Sequence, residues 1–100
     1  MIVVLRQIQH IYPDKWAELE AIDKKFNVVE DRLGFPAKKR YQLLSGSDEV
    51  NTLILETQWP SRAVMESTYE KAMADPEWQV LYNQGGIIKS TYWELYHLLP

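Results

Sequence analysis

The sequence of 100 residues has no cysteine, only four glycines and no long apolar segment. The lack of cysteine excludes disulfide bonds, thiolate metal sites and a cysteine nucleophile. The first apolar run, Met1 to Leu5, is too short for a signal-peptide core or a membrane span. Basic residues number 11 against 14 acidic ones, a poor match for the phosphate backbone of nucleic acids. We therefore expect one globular domain over residues 1–100, located in the cytoplasm, with no nucleic-acid partner and no membrane span.

The order of the hydrophobic patterns predicts four strands and two main helices. Apolar and β-branched residues favour strands over residues 2–9, 40–44, 52–59 and 90–98. Helical spacing predicts a first helix between Trp16 and Leu33, which Gly34 ends, and a second helix after Ser61. Asp75-Pro76 should stop the second helix and begin a further short one. This β-α-β-β-α-β order is typical of a ferredoxin-like α+β fold, in which two helices pack on one face of a four-stranded antiparallel sheet.

The residues on the two faces of this sheet are predicted from the alternation along each strand. One set should face the helices: Val3, Leu5, Leu43, Leu53, Leu55, Trp93 and Leu95. The opposite set is mixed rather than polar, since it contains Val4, Ile8, Leu44, Ile54, Tyr92, Tyr96 and Leu98. A monomer rarely leaves an apolar patch of this size in water. We therefore predict a homodimer through this face, in which two sheets close an eight-stranded barrel around a small ligand.

Polar side chains of the same set form the candidate ligand-binding cluster of this barrel: Arg6, Gln42, Glu56, Gln58, Tyr92 and Glu94. The fold places the first strand between the third, to which it should run parallel, and the fourth, to which it should run antiparallel. Arg6 is then within reach of Glu56 and Glu94. Two interpretations remain open: an ion pair that fixes strand register or dimer orientation, or a cluster that orients a ligand in an apolar pocket. The catalytic residues, if there are any, are not assigned.

The remaining chemical motifs are weak. His10 and His97 are expected at opposite ends of the sheet, each at the surface or rim, too far apart to pair within one chain. The residue spacing gives no support for a metal site. Gly85-Gly86 precedes a strand, which is the wrong context for a phosphate-binding loop. The basic run Lys38-Lys39-Arg40 is expected to be a solvated approach to the second strand. We therefore predict no cofactor and no metal.

Three segments resemble the dimeric α/β-barrel superfamily and, within it, the NIPSNAP-like domains. They are Leu5-Arg6 with Tyr12-Pro13, Trp59 with Ser61-Arg62-Ala63, and Asp75-Pro76-Glu77-Trp78-Gln79. The resemblance covers nearly the whole chain and implies a homodimer with a ligand-sized cavity. It leaves the activity open, because this superfamily hosts oxygenases, isomerases and many members with no assigned reaction. Haem-degrading relatives are expected to carry a histidine ligand on the second helix, and residues 61–84 contain none, which argues against haem.

Three functions are consistent with the sequence. The first is a NIPSNAP-like homodimer that binds a small organic ligand between its two sheets. The second is a cofactor-independent monooxygenase or isomerase of a small aromatic or enolisable substrate, with Glu56 or Glu94 as proton acceptor and Arg6 steadying an enolate. The third is a structural or partner-binding homodimer whose lumen is filled by its own side chains. Whether the protein is an enzyme stays open at this point.

Overall fold

The computed structural model describes residues 1–100, which form four strands and three helices. The strands are β1 (Val3–Ile11), β2 (Lys39–Gln42), β3 (Thr52–Trp59) and β4 (Ile88–His97). The helices are α1 (Trp16–Leu33), α2 (Arg62–Ala74) and α3 (Pro76–Tyr82). The sheet order is β2-β3-β1-β4, and every pair of neighbouring strands is antiparallel, which confirms the predicted α+β ferredoxin-like fold. None of the three helices has the combination of length and apolarity that crossing a bilayer requires.

The helices begin and end where local chemistry predicts. Gly34 follows α1 with a φ of 89°, a left-handed conformation that costs glycine no steric strain. The Ser61 hydroxyl accepts a hydrogen bond from the backbone N–H of Val64 and so caps α2. The Asp75 carboxylate accepts from the N–H groups of Glu77 and Trp78 at 3.0 and 3.1 Å, and so caps α3. These contacts fix the position of both helices that follow β3.

Strand β1 runs antiparallel to both of its neighbours, so the prediction that it is parallel to the third strand is wrong. The crossover through α1 makes β1 parallel to β2, and the hairpin between β2 and β3 then reverses the direction of β3. The lateral pairing is unaffected by this error. Arg6 lies directly opposite Glu56 on β3 and Glu94 on β4.

The register of β2 exchanges the two faces that were predicted for this strand. Gln42 lies opposite Leu53, and Arg40 lies opposite Leu55, two buried residues that pack against the helices. Opposed residues of an antiparallel ladder share a face, so Gln42 is on the helix-facing side and its predicted place in the barrel cluster is wrong. All four side chains of β2 are exposed, and alternation in such an edge strand carries no burial signal. Tyr41 takes the position opposite Ile54 instead.

The core lies between the sheet and the helices. Its buried apolar residues are Val3, Leu5, Ile11, Leu19, Val29, Leu53, Leu55, Trp59, Ala72, Trp78 and Ile87. Trp93 and Leu95 share this side but remain 48% and 38% exposed, because β4 is an edge strand. The other side of the sheet, here called the open face, carries Val4, Arg6, Ile8, Ile54, Glu56, Gln58, Tyr92, Glu94 and Tyr96. No helix covers it.

Candidate functional site

A cavity of about 370 Å³ lies between the sheet and the three helices. Gln7 and Gln9 of β1, with Leu55 and Thr57 of β3, line it from the sheet, and Phe26 of α1 is among the helical residues opposite. The volume falls in the range of about 300 to 1,000 Å³ that is typical of small-molecule sites. One chain therefore has a partly open space of ligand size, on the opposite side of the sheet from the lumen predicted from the sequence.

Aromatic side chains surround the opening of this cavity between α3 and β4. The rings of Trp78 and Tyr82 stack with centroids 4.8 Å apart, and Tyr69 meets Trp93 edge to face at 6.1 Å. A surface groove shares these four residues with the cavity. Tyr82 and Trp93 are 59% and 48% exposed. Aromatic rings therefore line the side of the cavity that is open to solvent.

A nearly buried ion pair joins α1 to the segment before β2 at the cavity wall. Lys38 Nζ lies 2.9 Å from Glu30 Oε1, and the two side chains are only 12% and 13% exposed. The indole N–H of Trp78 also donates to Glu30, at 3.3 Å. The ammonium of Lys38 lies 5.8 Å from the centre of the Phe26 ring. Lys38 is therefore part of the cavity wall, and the prediction that it is a solvated residue is wrong.

Asp23 places a second buried carboxylate at the cavity. Its Oδ2 lies 2.9 Å from a terminal nitrogen of Arg40, and that guanidinium also makes two hydrogen bonds to Glu20, at 3.0 and 2.7 Å. Burial raises the pKa of the Asp23 carboxyl, although Lys38 and Arg40 act to lower it. The hydrogen bond with Arg40 lowers the pKa of Glu20, which is exposed. Arg40 remains exposed, and its guanidinium pairs with both of these carboxylates of α1.

Tyr69 of α2 supplies a hydroxyl group to the cavity. Gln7 Nε2 donates to its oxygen at 3.1 Å, which links α2 to the middle of β1. Burial, with a smaller effect from the carboxylate of Glu30, raises the pKa of Tyr69 well above its usual range. The hydroxyl is therefore a neutral hydrogen-bonding group at any ordinary pH. A ligand in the cavity would meet it as a donor.

The open face brings together three of the charged residues predicted from the sequence. Arg6 Nε lies 3.9 Å from Glu56 Oε1, and Glu94 occupies the opposite register position on β4. Hydrogen bonding to Glu94 raises the pKa of the Tyr96 phenol. Gln58 lies opposite Val4, and Tyr92 lies opposite Ile8, so both are on the same face. None of the six residues of the predicted cluster lines the cavity.

His10 is buried, with 5% exposure, so its predicted place at the surface or rim is wrong. Its Nε2 lies 2.8 Å from Asp48 Oδ1, and its Nδ1 lies 2.7 Å from Ser90 Oγ. The ring also meets Tyr92 edge to face at 5.2 Å. The connection between β2 and β3, to which Asp48 belongs, covers this end of the open face. His97 is exposed opposite Val3, at the other end of the sheet.

The cavity residues with polar chemistry were missed at the sequence level: Gln7, Gln9, Asp23, Glu30 and Tyr69. One signal was present for Asp23. It lies four residues after Leu19 and three before Phe26, within the apolar stripe of α1. A carboxylate in such a stripe has to be paired or to face a polar space. No group of three or more histidine, aspartate or glutamate side chains is arranged to hold a metal ion.

The fold and the cavity define a class: a ferredoxin-like α+β protein with a partly open, small-molecule-sized space between sheet and helices. No family model matches the chain, and no curated protein matches it in sequence. Its structure is similar to that of a NIPSNAP family protein from Agrobacterium tumefaciens, with a TM-score of 0.77 and 19% identity over 100% of this chain and 93% of the other.

A NIPSNAP-like domain protein from Burkholderia xenovorans has the same TM-score, 0.77, at 14% identity over 99% of this chain and 84% of the other. SnoaB from Streptomyces nogalater, a cofactor-independent oxygenase, has a TM-score of 0.62 at 16% identity, over 97% of this chain and 92% of its own. At these identities the likeness concerns the fold. The prediction of a NIPSNAP-like fold is confirmed on that level.

Proposed function

We propose that the protein binds a small, neutral organic molecule in the cavity between the sheet and the helices. The observation that carries this proposal is a partly open cavity of about 370 Å³ with exposed aromatic rings in its lining. Burial of an apolar ligand there removes both its surface and that of the lining from water, which is the main favourable term in such binding. This moves the predicted ligand site from the open face to the helix-facing side of the same sheet.

The charges at the cavity support a neutral ligand. Asp23 is paired with Arg40, and Glu30 is paired with Lys38, each at 2.9 Å. The fourth charged residue of the lining, Lys89, lies 3.2 Å from Glu49. A charged ligand would lose its hydration without gaining an unpaired partner, and that loss is costly in a site of low polarity. A neutral molecule avoids this cost.

The proposal is tested by titrating the protein with naphthol and naphthoate near neutral pH, followed by ligand-detected NMR. Naphthol, which is neutral there, should bind, and the anion naphthoate should bind about tenfold more weakly or not at all. Leu81→Trp adds bulk to a cavity-lining residue and should abolish naphthol binding. Val80→Trp, at a neighbouring position of α3 that is 70% exposed, is the matched control and should leave binding unchanged. Equal binding by both variants, or no binding by the unaltered protein, contradicts the proposal.

A second candidate function is cofactor-independent monooxygenation or isomerisation of a small aromatic or enolisable substrate. The side chain of Asp23, 9% exposed and with a pKa raised by burial, is placed to accept a proton from a molecule in the cavity. The alternative acceptors, Glu56 and Glu94, are on the open face, where Arg6 would steady the enolate. SnoaB, a cofactor-independent oxygenase, has a similar fold, and this supports the oxygenase as a candidate function by analogy.

The proton-transfer step is measured as deuterium exchange at the carbon next to the carbonyl of tetralone, a bicyclic enolisable ketone. Asp23→Asn should remove exchange above the uncatalysed rate, while Glu56→Gln and Glu94→Gln should leave it intact. The opposite result would return the reaction to the open face. If the unaltered protein gives exchange no faster than buffer alone, proton abstraction by any of these three carboxylates is rejected. Dioxygen uptake with naphthol tests the oxygenase form.

We also propose that a second copy of the chain covers the open face, as its composition predicts. Tyr92 and Tyr96 are 55% and 43% exposed there. Association would bury these rings, and burial of apolar and aromatic surface is what stabilises homodimers. Arg6, Glu56 and Glu94 would then lie in the dimer interface, where their ion pairs would fix how the two sheets are oriented. This is the structural interpretation of the charged cluster. If the chain sediments as a dimer but no ligand binds in the titrations above, the protein is a structural or partner-binding homodimer.

A further inference from the structure

Gln7 and Tyr69 meet where β1 forms the sheet side of the cavity. Gln7 lies on β1 between Leu55 of β3 and Trp93 of β4, and both Gln7 and Tyr69 line the cavity. The Gln7 amide donates to the Tyr69 oxygen at 3.1 Å, and this is the one hydrogen bond that either side chain makes within the chain. The pair is therefore held together by a single bond, and part of its hydrogen-bonding capacity is unused.

The unused capacity consists of one donor and one acceptor. The Tyr69 oxygen accepts from Gln7, so the hydrogen of the hydroxyl is left to donate. Gln7 Oε1 has no protein donor, yet it keeps contact with solvent, whereas Gln9 Oε1 is sealed. β1 is an inner strand with the helices above this side of it, so the space that reaches the Gln7 oxygen is the cavity. A molecule bound there meets both unused groups next to each other.

We propose that Gln7 and Tyr69 recognise a lactam, a neutral ring in which a carbonyl and an N–H group lie side by side. The Tyr69 hydroxyl donates to the carbonyl oxygen, and Gln7 Oε1 accepts from the N–H group. The inference rests on the proposed binding function and adds a chemical class to it. Both side chains are uncharged, so they suit the neutral ligand that the paired charges of the lining favour. A hydrocarbon of the same shape would leave both groups without partners, and that loss lowers its affinity.

The test uses three bicyclic molecules of nearly the same shape. Tetralin has neither polar group, 2-tetralone has the carbonyl alone, and the lactam dihydroquinolin-2-one has the carbonyl and the N–H group. Titration of each protein then gives two affinity ratios. The ratio of 2-tetralone to tetralin measures the bond to the carbonyl, and the ratio of the lactam to 2-tetralone measures the bond from the N–H group.

Two variants each remove one of these bonds. Tyr69→Phe keeps the aromatic ring without its hydroxyl, and the first ratio should fall about tenfold. Gln7→Met keeps the length of the side chain without its amide, and the second ratio should fall about tenfold. Tyr82→Phe removes the hydroxyl of a lining tyrosine that is 59% exposed. It is the matched control and should leave both ratios unchanged.

The outcomes separate this inference from the binding function itself. If neither naphthol nor any of the three molecules binds, the proposed function fails. If naphthol binds but the lactam binds no better than tetralin, the binding function stands and the inference is overturned. Unchanged ratios in Tyr69→Phe and Gln7→Met overturn it as well, as does an exchange of the two effects between these variants. Should Gln7→Met fail to fold, the side-chain amide resonances of Gln7 in the unaltered protein decide: the lactam must shift them more than 2-tetralone does.

Discussion

The imidazole Nε2 of His10 lies 2.8 Å from Asp48 Oδ1, and this contact ties the β2–β3 connection to the end of the sheet. The other ring nitrogen faces the Ser90 hydroxyl on β4 at 2.7 Å. One buried side chain thereby joins a connection between strands to two strands that are far apart in sequence. As a consequence, the β2–β3 connection, and not a helix, covers one end of the open face, and His10 holds it in place.

Replacement of His10 by phenylalanine should loosen this cover. The ring volume is kept, but both hydrogen bonds are lost, which should lower the free energy of unfolding by about 1 to 3 kcal/mol. Backbone amides of residues 43–51 should exchange with deuterium faster than those of β1 and β3. His97→Phe is the control, since His97 is exposed, and it should leave exchange unchanged. Uniformly faster exchange across the whole chain would show that His10 stabilises the entire fold rather than this connection.

The buried pair of Lys38 and Glu30 should be costly to break from one side. Lys38→Met leaves the Glu30 carboxylate without its cation at 13% exposure, and the free energy of unfolding should fall by about 3 kcal/mol. Adding Glu30→Gln should recover most of this loss in urea denaturation, because no charge is then left unpaired. Lys89→Met breaks a pair with Glu49 in which both side chains are more than 40% exposed, and it should cost at most about 1 kcal/mol. Equal losses for the two lysine variants would contradict the burial argument.

Asp23 should make stability depend on pH in the unusual direction for a carboxylate. Burial raises the pKa of Asp23 above its ordinary value of 3.8. The folded state therefore favours the protonated form. That contribution to stability is complete below pH 3.8 and is lost as the pH rises through the raised pKa. Asp23→Asn does not titrate, so its stability relative to the unaltered protein should increase with pH over this interval.

Asp48→Asn serves as the control of opposite sign in the same urea denaturation series. The backbone N–H of Glu49 and the ring of His10 lower the pKa of Asp48. Its contribution is present above pH 3.8 and is lost as the pH falls through the lowered pKa. The stability of Asp48→Asn relative to the unaltered protein should therefore decrease as the pH rises. Parallel pH profiles for the two variants would refute the environment assigned to Asp23.

The dimer predicted through the open face should be sensitive to charge at Tyr92. In sedimentation velocity at micromolar concentration, the unaltered chain should behave as a dimer. Tyr92→Asp places a carboxylate in the buried interface and should give a monomer, since a charge without a partner is not tolerated there. Val80→Asp adds the same charge on α3, where Val80 is 70% exposed, and should remain a dimer. A monomeric unaltered chain would remove the basis for any barrel between two sheets.

The predictions that rest on local chemistry agree with the structure. Strand β3 has the predicted bounds, and Gly34, Ser61 and Asp75 end or begin helices as expected. Each of these depends on a few neighbouring residues: a proline, a glycine that can adopt positive φ, or a side-chain oxygen within reach of a free N–H group. The opposition of Arg6 to Glu56 and Glu94 was also predicted, because alternation along three strands with strong apolar patterns sets their relative faces.

The errors have a common physical origin. Gln42 was assigned to the wrong face because β2 is a short edge strand without a buried side, so its alternation carries no information. Lys38 and Arg40 look like a solvated basic run, yet their partners Glu30, Asp23 and Glu20 are on a helix that the fold brings over this edge. His10 was expected at a rim because no residue near it in sequence indicates that Asp48, in the connection between β2 and β3, contacts its ring in the folded chain.

The amino-acid sequence by itself determined the order of strands and helices, the positions at which helices begin and end, and the mixed composition of the open face. These follow from period, capping and turn chemistry, which act over a few residues. Only the tertiary structure decided that the cavity lies between sheet and helices, that its charges are paired, and that Gln7 and Tyr69 meet in its lining. Those properties depend on how far apart the packed layers stand and on which distant side chains meet, and no local pattern encodes either.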